Sequence, residues 1–208
     1  MIRSFADKIT WLGHDGFRID ADKTIYFDPY QISGGPVADL ILVSHEHFDH
    51  CSPEDIQKIQ APETIIVTEK DSAKKLAGDI RVMKPGDILD LDDIKIEAVP
   101  SYNIDKDFHP KKQGWLGFVV ETEGVRVYHA GDADFIPEMK DLEVDIAFLP
   151  VSGTYVMTAE QAVKAALAIR PKLAIPMHYG AIVGDVEDAA RFQKALLGKV
   201  DVRILEKG

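Results

Sequence analysis

Cysteine is almost absent: the 208 residues contain one, Cys51. A single cysteine cannot close an internal disulfide, which excludes a disulfide-stapled scaffold and agrees with a reducing compartment. Long apolar runs are absent too. None approaches the roughly 18 residues of a membrane-spanning helix. The opening stretch, MIRSFADKITWLGH, lacks the extended apolar segment of a signal peptide. A cytoplasmic protein with no membrane partner is expected. Positive charge is scarce: 24 Lys and Arg stand against 35 Asp and Glu, a net charge of −11. Nucleic-acid binding draws on Lys and Arg to neutralise phosphates, so no such partner is expected. Linkers and low-complexity segments are also missing. With 46% apolar residues, the chain is expected to form one domain, residues 1–208, with a sizeable core.

Strand-length apolar runs dominate what is present. KITWLGH (8–14), GFRID (16–20), TIYFDP (24–29), LILVSH (40–45), TIIVTE (64–69), IRVMKP (80–85) and IKIEAVPSY (94–102) fill the first half. WLGFVVET (115–122), VRVYHAGD (125–132), IAFLPVS (146–152), LAIPMHY (173–179) and VRILE (202–206) follow. Several are β-branched and apolar throughout, as in strands buried on both faces. Four helix starts are legible. Ser52-Pro53 with Asp55 reads as N-cap, first helical residue and capping box. Thr68 with Asp71 predicts a second helix ending near Gly78. Thr158 with Gln161 predicts a third, apolar over most of its circumference and stopped by Pro171. Asp185 predicts a fourth, with Gly198 just past its end. The segments TIYFDPY…ADLILVSH and VRVYHAGDAD…VDIAFLPVS echo each other, as two similar halves would, or as strand-rich sequence does by chance.

The chain has seven histidines, and three of them fall within residues 45–50, HEHFDH. His45, His47, Asp49 and His50 lie between the run LILV and the helix starting after Ser52, on a loop at a strand end, where sites usually sit. Imidazole and carboxylate together suit Zn²⁺, Mn²⁺ or Fe. On an extended segment His45 and His47 point the same way and can share one metal. A turn at Phe48 could aim Asp49 and His50 at a second. Packing such groups together without a cation would be costly. Asp132 and His178 also end strand-like runs, so three strand ends carry ligand types. His129, within a β run, and Cys51, at a helix start, read as structural.

HEHFDH resembles the H-x-H-x-D-H signature of the metallo-β-lactamase fold superfamily, and the resemblance spans essentially the whole chain. FDP (27–29) is similar to that superfamily's early Asp strand, YHAGDAD (128–134) to its later G-D motif, and PMHYG (176–180) to its final His motif. The resemblance implies an α/β fold, a four-layer αββα sandwich of two mixed β-sheets flanked by helices. It implies that Asp132 bridges two metals and that His178 ligates the second. WLGHDGFRI and WLGFVVE look most like the ascorbate-6-phosphate lactonase-like branch, which would place His14 near the site, supporting it or touching substrate. One feature departs from the pattern. The superfamily takes a third first-metal histidine from a mid-chain strand, and here that strand ends VPSYNID, with Tyr102 and Asn103. Either His109, in DFHPKK, swings in from the loop, or the first metal has an altered shell.

The implied activity is metal-dependent hydrolysis at two divalent cations, Zn or Mn with Fe as an alternative. Such cations acidify and orient a water for attack on a small lactone, ester or phosphoester. Asp49 would ligate or shuttle a proton. Tyr155 and Tyr179, just beyond strand ends, are candidates for oxyanion contact, Tyr155 for substrate binding. FHPKK (108–112) reads as a solvated loop, or as the cationic contact of an anionic substrate. Two other classes stay open: a mononuclear iron dioxygenase on the same fold, and a non-catalytic metal-binding protein. His47 stands where diiron members of the superfamily carry Glu, which counts against that branch. Oligomeric state is not legible.

Overall fold

The computed structural model describes residues 2–208. Its first sheet has six strands in sequence order: β1 (Ile9–Gly13), β2 (Gly16–Asp20), β3 (Thr24–Phe27), β4 (Leu40–Val43), β5 (Ile65–Thr68) and β6 (Asp79–Val82). Its second has seven: β7 (Ile88–Leu91), β8 (Ile94–Pro100), β9 (Leu116–Thr122), β10 (Val125–His129), β11 (Ile146–Pro150), β12 (Leu173–Met177) and β13 (Asp201–Val202), again neighbours in order. The helices are α1 (Ile2–Ala6), α2 (Pro53–Gln57), α3 (Ala159–Ile169) and α4 (Val186–Leu196).

The alternation of strand side chains builds the layers. In β3 and β4, Ile25, Phe27, Leu40 and Leu42 belong to the core between the sheets. Tyr26, Ile41 and Val43 face the other way, into a smaller apolar cluster with Ile56 of α2 and the following Ile59. Helices α3 and α4 cover the far side of the second sheet, packing on β11 and β12. The result is an αββα sandwich. Phe17 of β2 stacks on Phe148 of β11 with centroids 4.1 Å apart, and Phe27 meets Phe148 edge-on at 6.0 Å, tying one sheet to the other.

The sequence echo has a counterpart in the strand pairing. Strands β1–β6 pair antiparallel twice and then parallel three times, and β8–β13 do the same. Asp39 Oδ2 accepts the Thr24 amide at 2.8 Å, and Asp145 Oδ2 accepts the Arg126 amide at 3.0 Å, each fastening the start of a strand to the loop before the next. Both segments thus run strand, acid-bearing loop, parallel strand, and each delivers its strand ends to the same edge of the sandwich.

Three of the four predicted helix starts open helices, but the expected Ser52–Asp55 capping box is not completed, because the Asp55 carboxylate accepts the Gln31 and Ile32 amides. Ser52 accepts the Asp55 amide ahead of α2, and the capping boxes Thr158–Gln161 and Asp185–Asp188 are complete in both directions. Thr158→Ala is therefore expected to cost about 1 kcal/mol, read as a lowered midpoint in urea denaturation with an unchanged slope. The Thr68–Asp71 helix does not form. Thr68 ends β5 and donates its hydroxyl to Val43, while Glu69 accepts the Asp71 and Ser72 amides and leaves one 3₁₀ turn at Ser72–Lys74. Helix α3 buries one face only, through Ala159, Ala162, Ala165, Ala166 and Ile169, and leaves Leu167 exposed. Helix α1 and strand β7 were not legible as runs. Of the run VRILE only Val202 lies in β13, paired with Ala174 of β12, whose carbonyl accepts the Arg203 amide at 3.1 Å.

Candidate metal centre

The residues singled out in the sequence converge at one edge of the sandwich. His45 follows β4, Asp132 follows β10 and His178 follows β12, all at the C-terminal ends of strands. His14 lies in the two-residue turn joining β1 to β2, in left-handed backbone (φ 52°), and its carbonyl accepts the His178 amide at 3.1 Å. The cluster opens to solvent at His47, half-buried, and at Asp49, whose side chain is 14% exposed. Two surface concavities, of about 620 and 500 Å³, lie around Arg126, Asp145, Lys172 and Leu173, at the N-terminal ends of β10, β11 and β12 and away from the cluster. A substrate would meet the mouth formed at His47 and Asp49.

One group of ligand atoms comes from His45, His47 and His109. His45 Nε2 lies 2.9 Å from His47 Nδ1, and His109 Nε2 lies 3.3 Å from the same atom. The structure thus brings His109 into the cluster and not Asn103. Asn103 stands behind it: its Oδ1 accepts from the His109 amide at 3.0 Å and from the ring Nδ1 at 3.1 Å, with the Tyr155 carbonyl also 3.2 Å from Nδ1. Two acceptors on Nδ1 place the proton there and leave the Nε2 lone pair facing inward.

The same logic fixes the other rings. Ser44 Oγ donates to Asp28 Oδ2 at 2.6 Å, so it accepts from His45 Nδ1 at 2.9 Å. His50 Nδ1 donates to Asp28 Oδ2 at 2.8 Å. Ser152 Oγ, which donates to the Thr154 carbonyl, accepts from His178 Nδ1 at 2.9 Å. Each ring thereby turns its Nε2 to the interior. Asp28 therefore sets the tautomer of one ring in each group of ligands, as outer carboxylates do in metal sites. Asp28→Asn, which suits the left-handed backbone at this position (φ 38°), is expected to weaken metal binding roughly 10–100-fold, measurable by competition with a chromogenic chelator.

The second group gathers around Asp132. Its Oδ2 is 3.3 Å from His178 Nε2 and 3.2 Å from His109 Nε2, and its Oδ1 is 3.4 Å from His50 Nε2. Asp49 Oδ2 is 3.8 Å from His50 Nε2 and accepts from His14 Nε2 at 3.0 Å. His14 thus reaches the site through Asp49. Tyr155 contributes its carbonyl to His109, and its ring packs on Phe108 at 4.6 Å. Tyr179, the other candidate, is buried against Trp11 at 4.8 Å, and burial pushes its phenol up to about 12.

Burial drives the pKa of His45 well below the ordinary histidine range, and it lowers His47 and His14 as well, so these rings are neutral. Burial opposes charge on Asp132 too, but His178 and His50 outweigh it and hold the carboxyl well below the usual range. For Asp49 the His14 hydrogen bond outweighs burial in the same direction. Burial works against a charge on His50, yet Asp132 and Asp28 together lift its pKa well above normal.

These residues fit a metal. His50 Nε2, Asp132 Oδ1 and His14 Nδ1 are fully buried without a hydrogen-bond partner, as are both oxygens of Asp15. Such orphaned atoms are rare and costly. Ring nitrogens of His45, His47 and His109 also lie within 4.8 Å of one another. A cation is the partner both arrangements need.

Sequence reasoning did not reach the supporting residues Ser44, Ser152 and Trp115, whose ring lies 4.8 Å from both His45 and His47. It did not single out Asp15 either, though Asp15 follows the candidate His14. FHPKK proves to be tied down: Lys111 Nζ binds Glu138 at 2.8 Å and lies over the Tyr102 ring.

The arrangement has counterparts in known proteins. A family model described as "Beta-lactamase superfamily domain" matches residues 8–178. A UPF0173 metal-dependent hydrolase of Thermoplasma acidophilum is 34% identical over 95% of this chain and 94% of its own length. Among solved structures, a Parabacteroides distasonis protein described as a metal-dependent hydrolase superposes with a TM-score of 0.85 at 39% identity, covering 96% of this chain and 93% of that one. Igni18, a metallo hydrolase from Ignicoccus hospitalis, superposes with a TM-score of 0.77 at 25% identity, covering 96% and 95%.

Proposed function

The chain belongs to the β-lactamase superfamily and is a metal-dependent hydrolase of that fold; we propose that it works with two divalent cations, Zn²⁺ or Mn²⁺, on small lactones, esters or phosphoesters. The observation that carries this reading is two adjacent ligand groups, His45–His47–His109 and the one around Asp132, whose Oδ2 lies 3.2 Å from His109 Nε2, the second with orphaned atoms. His45 Nε2, His47 Nδ1 and His109 Nε2 would hold one cation. Asp49, His50 Nε2 and His178 Nε2 would hold the other, with Asp132 between the two. When bound, the cations supply Lewis acidity to a water nucleophile and to the scissile bond.

The chain's own groups do the rest. Asp49, ionised and partly open to solvent, is placed to take a proton at the mouth and release it. His14 Nε2 holds Asp49 in orientation. Two aromatic pairs flank the mouth: Tyr30 with Phe48, beside His14, and Phe108 with Tyr155, beside His109. Phe48 is 67% and Phe108 54% exposed, more than a packing role requires. They favour substrates with an apolar substituent, and Lys111, committed to Glu138, leaves little cationic help for an anion.

An iron dioxygenase would need one metal position, and the intact second group weighs against it. The test is turnover of a panel of aryl esters, lactones and phosphoesters by Zn²⁺- or Mn²⁺-loaded protein. Hydrolysis of at least one class, abolished by chelation, is expected. No hydrolysis, with thiol-dependent oxygen uptake by Fe²⁺-loaded protein, would overturn the reading.

A further inference from the structure

Asp15 is unaccounted for by the ligand set above. It occupies the turn between β1 and β2 directly after His14, is 0% exposed, and neither carboxyl oxygen has a hydrogen-bond partner. Its backbone carbonyl is anchored by His129 Nε2 at 2.9 Å, on a ring stacked against Phe27 at 5.2 Å, so the turn cannot easily swing away. Its Oδ2 lies 3.8 Å from His50 Nδ1. One ligand atom from each of Asp15, His50, Asp132 and His178 lies within 4.8 Å of all the others. Buried carboxylates without donors are among the most expensive groups a fold can carry. Among the described residues, no Lys or Arg side chain forms an ion pair with this one. Burial and the neighbouring Asp132 carboxylate push this carboxyl well above its usual range, so without a cation it would hold a proton against Asp132.

We propose that Asp15 is an additional ligand of the second metal position and that it biases this position toward a hard, higher-coordinate cation such as Mn²⁺. This rests on the two-cation reading above. With Asp15, the second position draws on the carboxylates of Asp15, Asp49 and Asp132 and on the imidazoles of His50 and His178. The first draws on the imidazoles of His45, His47 and His109 and on Asp132. Zn²⁺ favours four ligands rich in imidazole, whereas Mn²⁺ favours oxygen and higher coordination. The centre is thus built unevenly, one position suited to each kind of cation.

The experiment is titration of the stripped full-length chain with Zn²⁺ and Mn²⁺, alone and in competition, by calorimetry and by Mn²⁺ electron paramagnetic resonance. It compares the unaltered protein with Asp15→Asn and Asp15→Ser. The unaltered chain is expected to take up one Zn²⁺ and one Mn²⁺ from an equimolar mixture. Both variants should keep the first binding event. Each should weaken Mn²⁺ at the second by more than the roughly 100-fold upper range for losing a merely supporting residue, with a changed resonance line shape.

Thermal unfolding of the stripped proteins guards against misfolding. Asp15→Asn removes an uncompensated buried acid, so its metal-free midpoint should not fall, while its gain on adding Mn²⁺ should shrink. If both variants bind two cations with unchanged affinity and preference, Asp15 is not a ligand. A lowered metal-free midpoint with unchanged metal affinity would likewise overturn the assignment. If the unaltered chain binds only one cation, the two-cation reading itself fails.

Discussion

Asp132→Asn is expected to empty both metal positions at once and to reduce kcat/KM for any hydrolysed substrate by at least about 10³-fold, roughly 4 kcal/mol of transition-state stabilisation. The side chain is 4% exposed, and its two oxygens face ring nitrogens of His109, His178 and His50 at 3.2–3.4 Å. Asparagine keeps the shape and loses the charge, so one oxygen and one amide would confront the three ring nitrogens in place of a carboxylate. Removing His109 alone should act differently, because His109 belongs to one group: Asn103 and Tyr155 hold it, and nothing on the His50 side depends on it. Metal content by plasma mass spectrometry separates the cases. Asp132→Asn should approach zero per chain and His109→Ala should retain the second cation. Retention of both cations by Asp132→Asn would show that the two groups are not joined through this residue.

Phe148→Ala is expected to destabilise the fold by about 3–5 kcal/mol. Phe148 is fully buried on β11 and, with His129 of β10, is a ring through which the second sheet touches Phe17 and Phe27 of the first. Deleting it opens a cavity between two sheets whose strands are fixed by their ladders, so the site cannot easily collapse. Whole-domain stabilities are only about 5–15 kcal/mol, so the variant should unfold at much lower urea. A loss below about 1 kcal/mol would mean that the sheets repack around the gap. The neighbouring ring of His129 stacks on Phe27 and anchors the Asp15 turn, so metal affinity should also fall in this variant although no ligand is touched.

Much of this site is legible in the sequence because it is local. His45, His47, Asp49 and His50 share one short loop, and a strand period followed by a helix cap locates that loop. Asp132 and His178 are visible as polar residues ending apolar strands. The capping boxes of α3 and α4 are equally local and equally readable. What escapes is whatever depends on partners far along the chain. Asn103 reads as a failed ligand until the loop back to His109 shows it accepting that ring's proton. Asp15 reads as a hairpin residue, since turns favour aspartate for reasons unrelated to metals. Only closure of the two sheets sets it beside His50 and Asp132, which lie 35 and 117 positions away in the sequence. The unformed helix after Thr68 is a similar case. Its start signal is genuine, but the Thr68 hydroxyl is claimed by the neighbouring strand β4, and Glu69 takes the amides that a helix would have used.

The proposed chemistry requires a sheet edge able to hold two cations joined through Asp132. Metal-to-protein stoichiometry of the purified chain decides this, taken after saturation with Zn²⁺ and Mn²⁺ and removal of loosely bound ions. About two divalent cations per chain are expected, falling toward zero in Asp132→Asn. One cation per chain, unaffected by that substitution, would show that the two-cation centre does not exist.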